Sequence, residues 1–200
     1  MSLLKRKGIV NLNFRFFGLF LLAVAAFIVI KTFYPVAKAE ISYQITRSAP
    51  LNSEIIPIDP NFTIIIPKIN VNTKVIKNVN PFNSTEYQIA LTHGVAHARG
   101  SALPGFPGNV FIFAHSATDW YQANQYNAVF YLINKLESGD QIIIYYQGSK
   151  YIYSVNQKKI VNGNEINYLT GLVTDKTLTL MTCWPPGTTL KRLVITAASL

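Results

Sequence analysis

Cysteine is almost absent from this chain: 200 residues contain one, Cys183. That excludes an intrachain disulfide and any metal site built from a cysteine cluster. Acidic residues are scarce, 9 Asp and Glu against 18 Lys and Arg. The carboxylates are scattered, so no metal site and no cofactor is expected. The basic excess contains no run of Lys or Arg and no basic helix, and six of the 18 cations lie in the first 38 residues. It reads as partly topological and partly a matter of solubility, and nucleic acid is not an expected partner. Internal repeats and low-complexity tracts are also missing.

Long hydrophobic runs are rare too, and the one present stands out. Phe16 to Ile30 is uninterrupted and apolar, with Arg15 and Lys31 at its ends. Thr32, Phe33 and Tyr34 extend it to the ~20 residues that a bilayer core requires. Lys5, Arg6, Lys7 and Arg15 precede it, and the positive-inside bias then puts the N-terminus in the cytoplasm. The expectation is a single-pass cell-membrane protein with a cytoplasmic segment 1–15, a transmembrane helix 16–34, a linker 35–60 rich in proline, and an extracellular domain 61–200. The alternative is an export signal cleaved after Ala37-Lys38-Ala39.

Beyond residue 60 the pattern is short strands. Phe62 to Ile66 is apolar and largely β-branched, closed by Pro67. Val71 to Val79 alternates loosely, and residues 80–90 accommodate a helical turn capped at Asn83 or Ser84. Gly100 to Gly108 is too rich in Gly and Pro for regular structure and reads as an exposed loop. Asn109 to Ala114 is a buried strand ending at His115. Asn127 to Leu136 has near-helical apolar spacing. Gln141 to Tyr146 and Tyr151 to Val155 form a hairpin. Asn162 to Gly171 is a loop, and Thr177 to Thr182 and Leu190 to Ala197 are the last strands. Many short strands with one or two short helices specify an all-β barrel or sandwich and do not choose between them.

The lone thiol sits where its strand breaks off, in Thr182-Cys183-Trp184-Pro185-Pro186-Gly187. A thiol is a useful nucleophile as its thiolate, which needs a proton acceptor or a nearby cation. His115 ends its own buried strand in the same manner. Arg192, beyond the Pro-Pro-Gly turn, returns alongside the thiol on an antiparallel strand, where its fork of donors suits a carbonyl or an oxyanion. Taken singly, each has a plain structural explanation: a buried small hydrophobe, a satisfied histidine, a solvated arginine. Their order and spacing together favour chemistry.

These residues resemble a known family. Thr179-Leu180-Met181-Thr182-Cys183 with the downstream Arg192 is similar to the Thr-Leu-x-Thr-Cys and Arg signature of sortases, membrane-anchored cysteine transpeptidases of bacterial surfaces. Ile66-Pro67-Lys68-Ile69 resembles the family's first barrel strand, and His93 through Asn109 resembles its middle segment. Phe113-Ala114-His115-Ser116 stands where sortases carry the catalytic His, with Ala114 in place of the usual Gly. The resemblance covers about residues 62–197. It implies an eight-stranded sortase barrel, with Cys183 as nucleophile, His115 as acid/base, and Arg192 holding the oxyanion or substrate. Thr182, Trp184 and His97 are the implied substrate-binding residues. The implied reaction cleaves a C-terminal sorting motif of the Leu-Pro-x-Thr-Gly kind through a thioacyl enzyme, then transfers the acyl group to an amine. The implied partners are exported proteins carrying that motif, an amine acceptor (a wall precursor or a protein lysine), and the membrane through the N-terminal helix.

Asp59-Pro60-Asn61-Phe62 resembles the lid anchor of pilus-building sortases, but it abuts the first strand and reads as an ordinary turn. A single-anchor, lid-less, class D/E-like enzyme is therefore expected. Papain-like enzymes carry Cys before His, the reverse of this order, and no motif of L,D-transpeptidases is present. The remaining alternative is a catalytically silent, membrane-tethered β-barrel that binds surface peptides.

Overall fold

The structure, a computed structural model, describes residues 16–31, 34, 37–38, 40–41, 44, 55–116, 129–163 and 174–200. Residues 16–31 form a helix, α1. Among the described residues, no helix is long and apolar enough to cross a membrane. This corrects the expected transmembrane helix over 16–34, and with it the membrane partner and the single-pass placement. Residues 37–38, 40–41 and 44 are also helical, inside the segment expected as an irregular linker, and Glu40 pairs with Lys135 at 3.2 Å. The expected cytoplasmic segment 1–15 lies outside the described residues.

The domain is built on eight strands: β1 Phe62–Ile66, β2 Val71–Val79, β3 Val95–Ala98, β4 Gly108–Phe113, β5 Gln141–Tyr146, β6 Ser149–Asn162, β7 Lys176–Trp184 and β8 Lys191–Ser199. They close in the order β1-β2-β3-β4-β7-β8-β6-β5. Closure comes from the antiparallel pairing of β5 back onto β1, with Ile64 opposite Ile144. A barrel is thereby realised and a sandwich is not. All pairs are antiparallel except β2 with β3 and β4 with β7. Ile64, Ile112, Ile142, Ile144, Leu178, Leu180 and Ile195 are fully buried and belong to the core.

Local chemistry sets the connections. Pro67 opens a 3-10 turn, Pro67–Ile69, which ends at Asn70 in the left-handed region (φ 52°). Helix α2, Ser84–Leu91, starts at the expected cap: the Asn83 side chain accepts from the Glu86 N–H at 3.1 Å. The β5–β6 hairpin turns on Gln147 and Gly148 alone, both with positive φ (49° and 78°), as a type I′ turn requires. Gly105 also sits at positive φ, and a Cβ there would meet the Tyr151 ring at 2.7 Å.

Two further expectations change. Over the described part of 127–136, the helix is replaced by turns and a single 3-10 turn, Ile133–Lys135. Phe130, Ile133 and Leu136 are all fully buried, and their spacing of three is the 3-10 period. Strand β6 runs from Ser149 to Asn162, well past the expected arm Tyr151 to Val155, and residues 157–162 pair with β8.

Candidate active site

Strand β7 buries Leu178, Thr179, Leu180 and Thr182. It emerges at the barrel rim at Cys183 and Trp184, both half-buried. Proline cannot donate to a ladder, and Pro185-Pro186 ends the strand, the Trp184–Pro185 peptide being cis. The turn is closed by Thr188, whose N–H and hydroxyl donate to the Pro185 carbonyl at 3.0 and 2.8 Å. The chain returns as β8 in a register that puts Arg192 directly opposite Cys183. The Arg192 guanidinium donates to the carbonyls of Thr189 and Lys191, each at 3.1 Å.

On the other side of β7 lies the parallel strand β4, with Phe113 opposite Met181. Two more bonds carry this alignment past the end of β4. The Ala114 N–H donates to the Met181 carbonyl at 3.2 Å, and the Thr182 hydroxyl donates to the Ala114 carbonyl at 2.8 Å. His115, half-buried, is the next residue, level with Cys183 by continuation of the register. Three neighbouring chain segments thus bring an imidazole, a thiol and a guanidinium to one rim. That set supplies a proton carrier, a soft nucleophile and a holder for developing negative charge.

The other residues singled out from sequence fall in different places. Thr182 is 3% exposed, with its hydroxyl committed to the β4–β7 clip. Trp184 packs against the core from the rim. His97, on β3, is 2% exposed. Its Nδ1 accepts from the Asn78 N–H at 3.3 Å, so the ring proton lies on Nε2. That proton is shared between the Ala102 carbonyl at 3.0 Å and the Ser101 hydroxyl oxygen at 2.9 Å. Burial pushes His97 below the ordinary imidazole pKa, against the bond to Ala102, and the positive charge of Lys77 adds to the depression. His97 therefore stands behind the 99–107 loop, with both ring nitrogens bonded within the protein. His93 lies at the end of α2, its Nδ1 within reach of the Ile89 carbonyl and the Thr92 hydroxyl. Asp119 and Trp120 lie outside the described residues. Among the described residues, no group of three or more His, Cys, Asp or Glu is placed to hold a metal.

Two residues at the site escaped the sequence reading. Gln88, on α2, sets its Oε1 3.1 Å from His115 Nε2. Ser116, 2% exposed, has a buried hydroxyl without a hydrogen-bond partner. A single Gln on a short helix and a Ser after a strand carry no pattern from which such contacts can be read.

Comparison with known proteins agrees with this architecture. The sortase domain model matches residues 64–200. A Clostridium perfringens sortase D5 transpeptidase structure is 26% identical, with a TM-score of 0.58 over 80% of this chain and 88% of that one. Sortase C-1 from Actinomyces oris is 25% identical, with a TM-score of 0.60 over 84% and 97%. Sortase A from Corynebacterium diphtheriae is 25% identical, with a TM-score of 0.59 over 74% and 63%. No match is found among curated proteins. A closed eight-stranded barrel that carries a thiol and an arginine on paired strands, matched over 64–200 by the sortase domain, belongs to the sortase family of cysteine transpeptidases.

Proposed function

We propose that residues 61–200 are the catalytic domain of a sortase that cleaves a C-terminal sorting motif of the Leu-Pro-x-Thr-Gly kind and passes the acyl group to an amine. The observation that carries this reading is the register Cys183 opposite Arg192, flanked by the clip between Thr182 and Ala114, one residue before each of Cys183 and His115.

In the proposed reaction the Cys183 thiolate attacks the threonine carbonyl carbon. A C–S bond forms, and the carbonyl electrons move to oxygen. The oxyanion is held by the Arg192 guanidinium, with the Trp184 N–H as a second donor. Collapse breaks the C–N bond, and protonated His115 gives its proton to the departing amine. The acceptor amine then adds to the thioester, His115 takes a proton from it, and the thiolate leaves. Water in place of the amine gives hydrolysis. The substrate is an exported protein carrying the motif, and the acceptor is a wall precursor amine or a protein lysine. Trp184 walls the groove beside Cys183.

We assign the enzyme to the lid-less, class D/E-like type. Asp59 supports this: its carboxylate accepts from the Asn61 N–H at 2.8 Å and pairs with Lys74 at 3.1 Å, the bonding of a turn into β1.

The test incubates the full chain with a library of sorting-motif peptides and an amine acceptor, and follows cleavage and transfer by mass spectrometry. Wild type gives a thioacyl adduct on Cys183 and a transfer product. Cys183→Ala gives neither, and cleavage that survives in Cys183→Ala overturns the mechanism.

A further inference from the structure

We infer that Gln88 is a positioning residue for the reaction: its amide anchors Nε2 of His115 and so makes Nδ1 the nitrogen that exchanges the proton. The inference rests on the acid/base role proposed above for His115.

Helix α2 is fixed against the end of β4 by consecutive residues. The Tyr87 ring meets the Phe113 ring edge-on, with centroids 6.3 Å apart and planes at 79°. One residue further along the helix and two beyond Phe113, the Gln88 amide reaches the imidazole of His115. The helix itself is braced. Asn83 caps it, Glu86 accepts from the Asn80 N–H at 2.9 Å, and Glu86 pairs with Arg99 at 2.6 Å. Ala90 and Leu91 are buried. Gln88 is exposed, so packing makes no demand for an amide at that position, and the bond to His115 accounts for it.

The chemistry follows from what an amide offers. Its oxygen accepts from Nε2–H in the neutral ring and equally in the imidazolium, because Nε2 carries a proton in both. The contact therefore survives the catalytic cycle while the proton at Nδ1 comes and goes. A carboxylate in the same place would favour the imidazolium and hold the proton back. By continuation of the β4–β7 register Cys183 lies level with His115, and Arg192 on β8 stands opposite Cys183. On α2, Glu86 is turned to Arg99 and Asn80.

The test uses the full chain, with His115 ring nitrogens read by NMR and cleavage of a sorting-motif peptide read in parallel, for wild type, Gln88→Glu, Gln88→Leu and His115→Ala. Gln88→Glu is expected to raise the His115 imidazolium pKa by about one unit and to move the pH–rate profile with it. Gln88→Leu, a good helix former at an exposed site, is expected to mix the tautomers and lower kcat about tenfold, with KM within about twofold. An unchanged tautomer and titration of His115 in both Gln88 variants overturns the inference alone. Cleavage undiminished in His115→Ala overturns the acid/base reading beneath it, and the NMR signature separates the two failures.

Discussion

Arg192 faces Cys183 across one rung of the β7–β8 ladder. Its planar fork of donors, which lysine cannot reproduce, suits an oxyanion. Arg192→Lys is therefore expected to lower kcat/KM by roughly 10²-fold with the barrel intact, as measured by peptide cleavage and far-UV circular dichroism. His97 leads to a pH prediction. Burial holds its pKa below the unfolded value, near 6.5, so the folded protein favours the neutral ring. The associated stability is complete above that value. It is lost as pH falls from there toward the lower folded pKa, because the unfolded chain takes up a proton that the folded chain refuses. Urea midpoints at pH 7.5 and 5.5 should fall on acidification, and by a smaller amount in His97→Gln. At this scale the positions of Cys183, His115 and Arg192 near strand ends were legible, because each stands where an apolar strand closes or opens. The placement of His97 was not, since a histidine between small apolar residues reads the same at a groove as in a core.

Among the elements, the joint between β4 and β7 matters most for the site. These strands are parallel, and their alignment past Phe113 rests on the Ala114 N–H and the Thr182 hydroxyl. Thr182→Val keeps the shape but leaves the buried Ala114 carbonyl without its donor, at a cost of about 1–3 kcal/mol. The expected outcome is a lower denaturation midpoint and a larger fall in kcat than in KM, as His115 drifts from the thiol. Most of the strands were legible from β-branched runs bounded by Pro, Gly and Asn, β3 excepted, and α2 as a helical turn capped at Asn83 or Ser84. The missed elements have separate causes. Phe130, Ile133 and Leu136 satisfy a three-residue period that a short window does not separate from 3.6. The mostly polar and exposed residues 157–160 gave no strand signal because pairing with β8, not burial, orders them.

For the whole molecule, barrel closure is the deciding event. Ile64 and Ile144 are fully buried partners at the seam between β1 and β5. Ile64→Ala is expected to cost about 2–5 kcal/mol, read from denaturant unfolding, with hydrogen exchange rising in both strands. By itself the sequence determined most of the segments that become strands, β3 and the far half of β6 excepted, and that its lone thiol lies near the end of one of them, because these follow from local apolar patterning and from proline and glycine geometry. The apolar run at 16–30 also led to an expected membrane crossing, whereas among the described residues no helix is long and apolar enough to cross a membrane. Tertiary structure alone decided the closure of the barrel, the parallel joint that aligns the ends of β4 and β7, the burial of His97, and the reach of Gln88 to the imidazole. Each depends on strands and helices far apart in the chain meeting at one register, and no local pattern encodes a partner tens of residues away.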